Sequence, residues 1–99
     1  MPFRVFFHPL ADKEFSTAYQ WYEERMEGLG SRFAKAIEER LNQIISTPLL
    51  YPKKKGSFRE SKADSFPYMI VYKVYDEDKI IFISAIYHTS KDPRKKYRK

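Results

Sequence analysis

His88 is the residue of this chain best placed to move a proton. It ends the apolar segment 80–88 and directly precedes a basic C-terminal segment that contains Lys91 and Arg94. An unperturbed imidazole titrates at about pH 6.5, so a histidine at a strand end could act as a general acid or base. In the same place it could instead form hydrogen bonds that hold the following segment. The residues alone leave both roles open.

Arg59 and the lysine run 53–55 are candidate phosphate ligands. If Phe58 points into the core, Arg59 lies on the other face of its strand, where it could meet a phosphate or a carboxylate. The consecutive lysines form either a solvated charge run or a non-specific phosphate contact. Neither feature specifies a target.

The C-terminal tail, residues 89–99, concentrates positive charge. Six of the nineteen Lys and Arg residues lie within 91–99, beside one aspartate, and the whole chain has a formal charge of +6. Such a segment after an apolar strand suits an anionic partner, whether nucleic acid, an RNA–protein particle or an acidic protein surface. A solubilising terminus is the alternative.

Composition excludes several kinds of site. The chain has no cysteine, which excludes disulfides, thiolate zinc sites and a cysteine nucleophile. Its two histidines are far apart, and no Gly-rich phosphate loop is present, so we expect no metal and no cofactor. The carboxylates 23–24, 38–39 and 76–78 are interpreted as solubilising. With no signal peptide or membrane-spanning stretch, we expect a cytoplasmic protein without a membrane partner.

The hydrophobic pattern predicts the elements that position these residues. Residues 3–7 read as a strand, and 10–26 and 33–45 each carry apolar side chains at helical spacing. Gly28-Leu29-Gly30 separates the two helices, with Ser31 as the expected cap of the second. Segment 49–62 is expected to be irregular apart from a brief strand at 58–61, and strands follow at 68–75 and 80–88. The prediction is a single α+β domain, residues 1–99, with an antiparallel helix hairpin packed on a small antiparallel sheet.

Trp21 and Tyr22 are adjacent in the first helix. Because successive helical residues diverge by about 100°, both cannot point into the core. We expect one of them at its edge, where a large aromatic side chain can anchor a partner.

Several short motifs, taken in order, resemble the RelE/ParE superfamily of bacterial toxins, most closely its ParE (plasmid-stabilisation) branch. They are Ala11-Asp12, Ala18-Tyr19-Gln20-Trp21-Tyr22, Gly30-Ser31-Arg32-Phe33, Pro48 with Tyr51-Pro52, Arg59, the stretch Phe66–Tyr72, and Ala85–Pro93. The resemblance implies the toxin of a type II toxin–antitoxin module, neutralised by a cognate antitoxin. ParE-type toxins inhibit DNA gyrase and replication, whereas RelE-type toxins cut mRNA on the ribosome.

The resemblance also implies site residues. For a ParE-like toxin acting by protein contact, the target-binding residues would be His88, Lys91, Arg94, Lys95, Lys96 and Arg98. Truncating 91–99 should then abolish toxicity and leave the fold intact. For a RelE-like endonuclease, His88 would be the general acid or base, with Arg59, Lys62 and Lys91 on phosphate.

Departures from both patterns bear on this choice. Met69 stands where RelE nucleases carry an arginine, and His88 stands where they end the last strand with a catalytic arginine. Lys91 replaces an arginine of the ParE pattern, and lysine keeps the charge but loses the bidentate fork. A homologue that only binds antitoxin is a further alternative. Antitoxin contacts, by helix-in-groove or strand addition, are expected at Trp21, Tyr22 and Leu29.

Overall fold

A computed structural model describes residues 2–91 and 96–98 of the chain. Arg94 and Lys95, two of the expected target-binding residues, lie outside the described residues. The elements in chain order are β1 (Arg4–Phe7), α1 (Pro9–Arg25), α2 (Leu29–Ser46), β2 (Lys53–Lys55), β3 (Phe58–Lys62), β4 (Tyr68–Tyr75) and β5 (Ile80–His88).

The strands form one five-stranded sheet in the order β1-β5-β4-β3-β2. The predicted α+β class with its helix hairpin is confirmed, and strands β3 to β5 form the expected antiparallel meander, which β2 extends by one more antiparallel strand. The N-terminal strand makes the sheet mixed, because β1 pairs with β5 in parallel from Arg4 opposite Ile80 to Phe7 opposite Ile83. One face of the sheet carries both helices, and we call the other face the open face.

The connection between the helices differs from the prediction. Helix α2 begins at Leu29, after Gly28 with φ of 85°, so Ser31 lies inside the helix and does not cap it. The first amides of α2 are satisfied by Glu23 of α1, whose carboxylate accepts from the N–H of Gly28 at 3.0 Å and of Gly30 at 2.9 Å. Negative charge at a helix N-terminus is favourable. The interpretation of Glu23 as merely solubilising was therefore wrong.

The lysine run is a strand and not an irregular loop. Lys53–Lys55 pairs with β3 at the edge of the sheet, and all three lysines are exposed. Three identical polar residues carry no alternation of apolar and polar side chains from which a strand could be recognised. Lysines on an edge strand discourage pairing with another chain.

A β-bulge in β5 decides which side chains reach the core. Val71 lies opposite Ala85 while Tyr72 lies opposite Ile83, so Ser84 is an extra residue in β5. The alternation shifts there by one residue, and Ile83 and Ile86 both pack in the core under the helices. Ala85 and Tyr87 consequently belong to a smaller cluster on the open face, with Phe58 and Val71.

Candidate functional site

A groove of about 800 Å³ lies between α1 and the ends of β4 and β5. Its wall includes Leu10, Ala18, Trp21, Tyr22, Pro67, Tyr68 and Ile86, and its polar residues include Lys13, Glu14, His88, Lys91 and Arg98. Within residues 2–91 and 96–98, Lys13 and Lys91 have no ion-pair partner. The groove therefore combines an apolar wall with cations that are available to a negatively charged partner.

His88 is held in one tautomer by the turn that follows β5. Its Nδ1 accepts the backbone N–H of Ser90 at 3.1 Å and lies 2.7 Å from the Ser90 hydroxyl. Because a backbone N–H can only donate, Nδ1 carries no proton and neutral His88 holds its proton on Nε2. The ring packs edge-on against Tyr68 at 5.1 Å. His88 thus organises the turn and offers a hydrogen-bond donor from Nε2, while Nδ1, the nitrogen that would take up a proton, is occupied by the Ser90 N–H. The ring is therefore not set up as a general base, and it could act as a general acid only after Nδ1 is protonated and this hydrogen bond is lost.

Trp21 and Tyr22 diverge as helical geometry requires. Trp21 is 49% exposed, with the Arg25 guanidinium 4.2 Å from its ring centre. Tyr22 packs into the aromatic cluster, with its ring centre 5.2 Å from Phe33 and 5.0 Å from Phe66. Both line the groove, whereas Leu29 is half-buried at the start of α2 and does not. Two of the three expected antitoxin contacts therefore share a surface with His88 and Lys91.

The end of the tail is part of the fold. Arg98 forms a bidentate pair with Glu14 of α1, at 2.8 and 3.0 Å, and also donates to the Ser84 carbonyl at 3.0 Å. Glu14 in turn accepts the N–H of Ile86 at 3.1 Å, on the edge of β5 that β1 no longer covers. The bulged Ser84 hydroxyl accepts the Arg98 N–H at 2.6 Å and donates to the Lys96 carbonyl at 2.7 Å.

Lys96 and Tyr97 are anchored on the open face. Lys96 pairs with Glu60 at 3.1 Å, and the Glu60 side chain is only 4% exposed. Tyr97 donates its hydroxyl to the same carboxylate and stacks its ring on Phe58, 5.5 Å between centres. The charges of Lys96 and Arg98 are thus paired inside the chain. These contacts predict, against the sequence-based expectation, that removing 91–99 destabilises the fold, because the truncation would leave Glu14, Glu60 and Ser84 without these partners.

The four residues of the nuclease alternative are not brought together. Arg59 lies on the helix side of β3 and donates to the carbonyls of Tyr51 at 2.5 Å and Leu49 at 3.3 Å, which fastens the loop after α2. One strand, β4, lies between it and His88, and the two positions are also about 15 Å apart along the strands. Lys62 pairs in register with Met69, on the face opposite His88. His88 and Lys91 alone share the groove.

Comparison with protein families identifies the chain. Residues 5–93 match the model of the ParE toxin of the type II toxin–antitoxin system parDE. The chain belongs to the ParE toxin family. A search of the curated protein sequences gives no match.

Solved structures share the fold of this ParE-family chain. The isolated E. coli RelE toxin superposes with a TM-score of 0.69 at 22% identity, over 95% of this chain and 90% of that one. A RelE mutant in complex with an antitoxin RelBc peptide gives 0.68 at 20% identity, over 92% and 87%. The chromosomal ParDE system of P. aeruginosa gives 0.63 at 16%, over 89% and 97%. Identities this low establish the shared fold alone.

The groove of this chain also contains Tyr68, a tyrosine that stays protonated at physiological pH. Burial raises the pKa of Tyr68 above its usual value, and the nearby Tyr22 and Glu14 add to the effect. Tyr68 and neutral His88 therefore both present hydrogen-bond donors to a partner.

Among the described residues no group of three His, Asp or Glu side chains could hold a metal ion, and no helix is long and apolar enough to cross a membrane.

Sequence reasoning missed the anionic residues that anchor the tail. Glu14 is one of several polar residues on the outer side of α1, and Glu60 was assigned to a brief strand without any partner for its carboxylate. Ser84 interrupts the apolar run of β5, and that polar residue in a buried strand was the available signal for a bulge or a partner. The partners of Glu14 and Glu60 lie 84 and 36 residues away, where local patterns carry no information.

Proposed function

We propose that this ParE-family toxin inhibits DNA gyrase, and with it replication, by protein contact and not by cutting RNA. The observation that carries the proposal is the dispersal of Arg59, Lys62 and His88 over both faces of the sheet. Cleavage of RNA needs a base, a phosphate-binding cation and an acid around one bond. Arg59 is engaged with loop carbonyls, and His88 uses its unprotonated nitrogen in the turn. Lys91 and the tail residues 94–95 would supply the basic contact surface.

We infer that the cognate antitoxin docks in the groove. The RelE neighbour was solved with a RelBc peptide bound, and the P. aeruginosa neighbour is a ParDE system. The groove has the features of an anchor site for a helical segment with apolar and acidic side chains, because Trp21 and Leu10 are half-exposed beside Lys13 and Lys91. A module of this kind would act in the cytoplasm, as one domain spanning 1–99.

Pulse labelling tests the target of the toxin. Thymidine and methionine incorporation are followed for minutes after inducing the chain without antitoxin. Gyrase inhibition predicts an early fall in thymidine alone, and Lys91→Gln should weaken that fall while Lys35→Gln, an exposed lysine of α2, should not. A fall in methionine first would overturn the proposal. No fall in either would leave an inactive homologue that binds only antitoxin.

The endonuclease alternative keeps one supporting observation, the presence of His88, Lys91 and Tyr68 in a single groove. If the groove cleaves mRNA, His88→Gln should abolish ribosome-dependent cleavage, because glutamine cannot supply the proton. If the toxin acts by contact, His88→Gln should retain most toxicity, since the amide preserves a hydrogen-bond donor and acceptor. The measurement is primer extension on mRNA from induced cells, compared with cell survival for the same variant.

A further inference from the structure

The open face of the sheet carries a row of three aromatic and two cationic side chains. The strand registers place Phe6 of β1 beside Phe82 of β5, Phe82 beside Lys73 of β4, Lys73 beside Phe58 of β3, and Phe58 beside Lys55 of β2. Paired positions share one face, so the row crosses all five strands, about 19 Å at the usual strand spacing. The ring of Tyr97 packs on Phe58, one member of this row.

Much of this row is exposed to solvent. Phe6 is 50% exposed, and Phe82 is half-buried beside it. The neighbouring row continues the pattern with Arg4, Ile80 and Tyr75 in register, and Tyr75 is 40% exposed. Both helices pack on the other face, and residues 96–98 contact Phe58 of β3 and Ser84 and Tyr87 of β5.

The cations of this surface are not used in ion pairs. In the part of the chain that the structure describes, Arg4, Lys55 and Lys73 have no carboxylate partner. Each lies near an aromatic ring instead: Arg4 is 5.8 Å from the Phe6 centre, Lys73 is 5.1 Å from Tyr75, and Lys55 is 5.4 Å from Tyr97. Glu60, a carboxylate on this face, is paired with Lys96.

We propose that the open face binds single-stranded nucleic acid, with bases stacking on Phe6, Phe82 and Tyr75 and phosphates contacting Arg4, Lys55 and Lys73. Aromatic side chains on an exposed sheet take up unpaired bases, typically about two or three, and flanking cations follow the backbone. A duplex hides its base faces, so the aromatic row selects single strands. The proposal goes beyond contact with a protein target and does not depend on it.

Fluorescence anisotropy with labelled oligonucleotides tests the proposal on the full chain. The probes are a 20-nucleotide oligo-dT, its RNA counterpart oligo-U, and a duplex of equal length, each titrated at several salt concentrations. We expect both single strands to bind more tightly than the duplex, and the comparison of dT with U distinguishes a DNA source from an RNA source. Phe6→Ser and Phe82→Ser should each weaken binding about tenfold, as expected for loss of one stacked base.

The salt dependence separates stacking from charge. For single strands the slope of log affinity against log salt changes by about 0.7 per phosphate contact. Lys73→Gln should therefore reduce that slope by about 0.7, whereas Phe6→Ser should leave it unchanged. The matched controls are Trp21→Ser and Lys35→Gln, which remove an exposed aromatic and a cation from the helix side. Circular dichroism confirms folding, and the exposed Phe6 serves as the decisive variant if Phe82→Ser unfolds.

Three results would overturn the proposal. Binding of duplex as tightly as single strands would show attraction by net charge alone. If Phe6→Ser and Trp21→Ser weaken oligonucleotide binding equally, the aromatic row is not the binding site. Failure of both single strands to bind at low salt would show that this face is not a nucleic-acid site. Because binding is measured without gyrase or ribosomes, none of these results bears on the toxicity test above.

Discussion

Arg98→Met should destabilise the fold even though residue 98 is the penultimate residue of the chain. Methionine keeps much of the aliphatic stem and removes the guanidinium, which donates to both oxygens of Glu14 and to the Ser84 carbonyl. The side chains of Arg98 and Glu14 are 16% and 28% exposed, so the pair lies between a surface pair worth about 0–1 kcal/mol and a buried one worth several. We expect a loss of about 2 kcal/mol in the free energy of unfolding.

Urea denaturation measures this loss, and a double-mutant cycle assigns it. Glu14→Gln removes the partner charge while keeping an acceptor for the Ile86 N–H. If Arg98 acts through Glu14, the double variant should recover about 1 kcal/mol relative to the sum of the single effects. In thermal unfolding the Arg98 variant should melt about 4–8 °C lower per kcal/mol lost. Lys35→Met on the exposed side of α2 is the control and should stay within about 0.5 kcal/mol.

A small effect would refute this reasoning. If Arg98→Met changes stability no more than the Lys35 control, the tail is a solvated terminus and its contacts contribute nothing to the fold. If Arg98→Met lowers the free energy of unfolding strongly but shows no coupling energy with Glu14→Gln, the stabilisation comes from the contacts of Arg98 with Ser84. In the first case the sequence-based view of a free cationic tail would stand, and all six basic residues of 91–99 would be available to a target.

Two further predictions concern packing and pH. Gly30→Ala should destabilise the fold, although alanine gains about 1 kcal/mol over glycine in helix propensity. The new Cβ would lie 2.8 Å from the Tyr19 carbonyl oxygen and 2.9 Å from Glu23 Oε1, and such overpacking costs about 1–3 kcal/mol. A variant that is more stable than the original chain in urea unfolding would contradict this. Burial, aided by the hydrogen bond to Glu60, raises the pKa of Tyr97 to about 12, and burial likewise raises the pKa of Tyr72 to about 12. Since an unfolded tyrosine titrates at about pH 10, their stabilising contribution is complete below that pH and is lost as the pH rises toward 12. Tyr97→Phe should therefore reduce the loss of unfolding free energy over this pH range.

The sequence predicted the elements that have a clear period. Alternating apolar residues identified β4, and three- and four-residue spacing identified both helices, because each element buries one face. The parallel pairing of β1 with β5 joins residues about 76 positions apart, and nothing local encodes it. The bulge at Ser84 was missed for the same reason, since a one-residue shift is defined only by the partner strand.

The candidate site was predicted in part. Placing His88 at the end of an apolar strand, near Lys91, follows from chain order alone, and the groove contains both residues. The pairing of Lys96 and Arg98 with carboxylates could not be predicted, because charge counts along a sequence do not show which charges are neutralised by distant ones. The open face was missed because its aromatic residues come from different strands and converge only through the register.

The groove and the aromatic row lie on opposite sides of the sheet. The proposed antitoxin site is therefore separate from the proposed nucleic-acid site. Phe6 and Phe82 do not line the groove, whose apolar wall comes largely from α1. A short helical segment seated between Trp21 and His88 would therefore leave the aromatic row exposed. If the antitoxin binds only in the groove, the complex should still bind single-stranded oligo-dT with the affinity of the free toxin. Loss of that binding in the complex would mean that the antitoxin also crosses the sheet edge at β1 and covers Phe6. The same anisotropy titration, repeated with saturating antitoxin, therefore determines whether the antitoxin blocks one surface of the toxin or both.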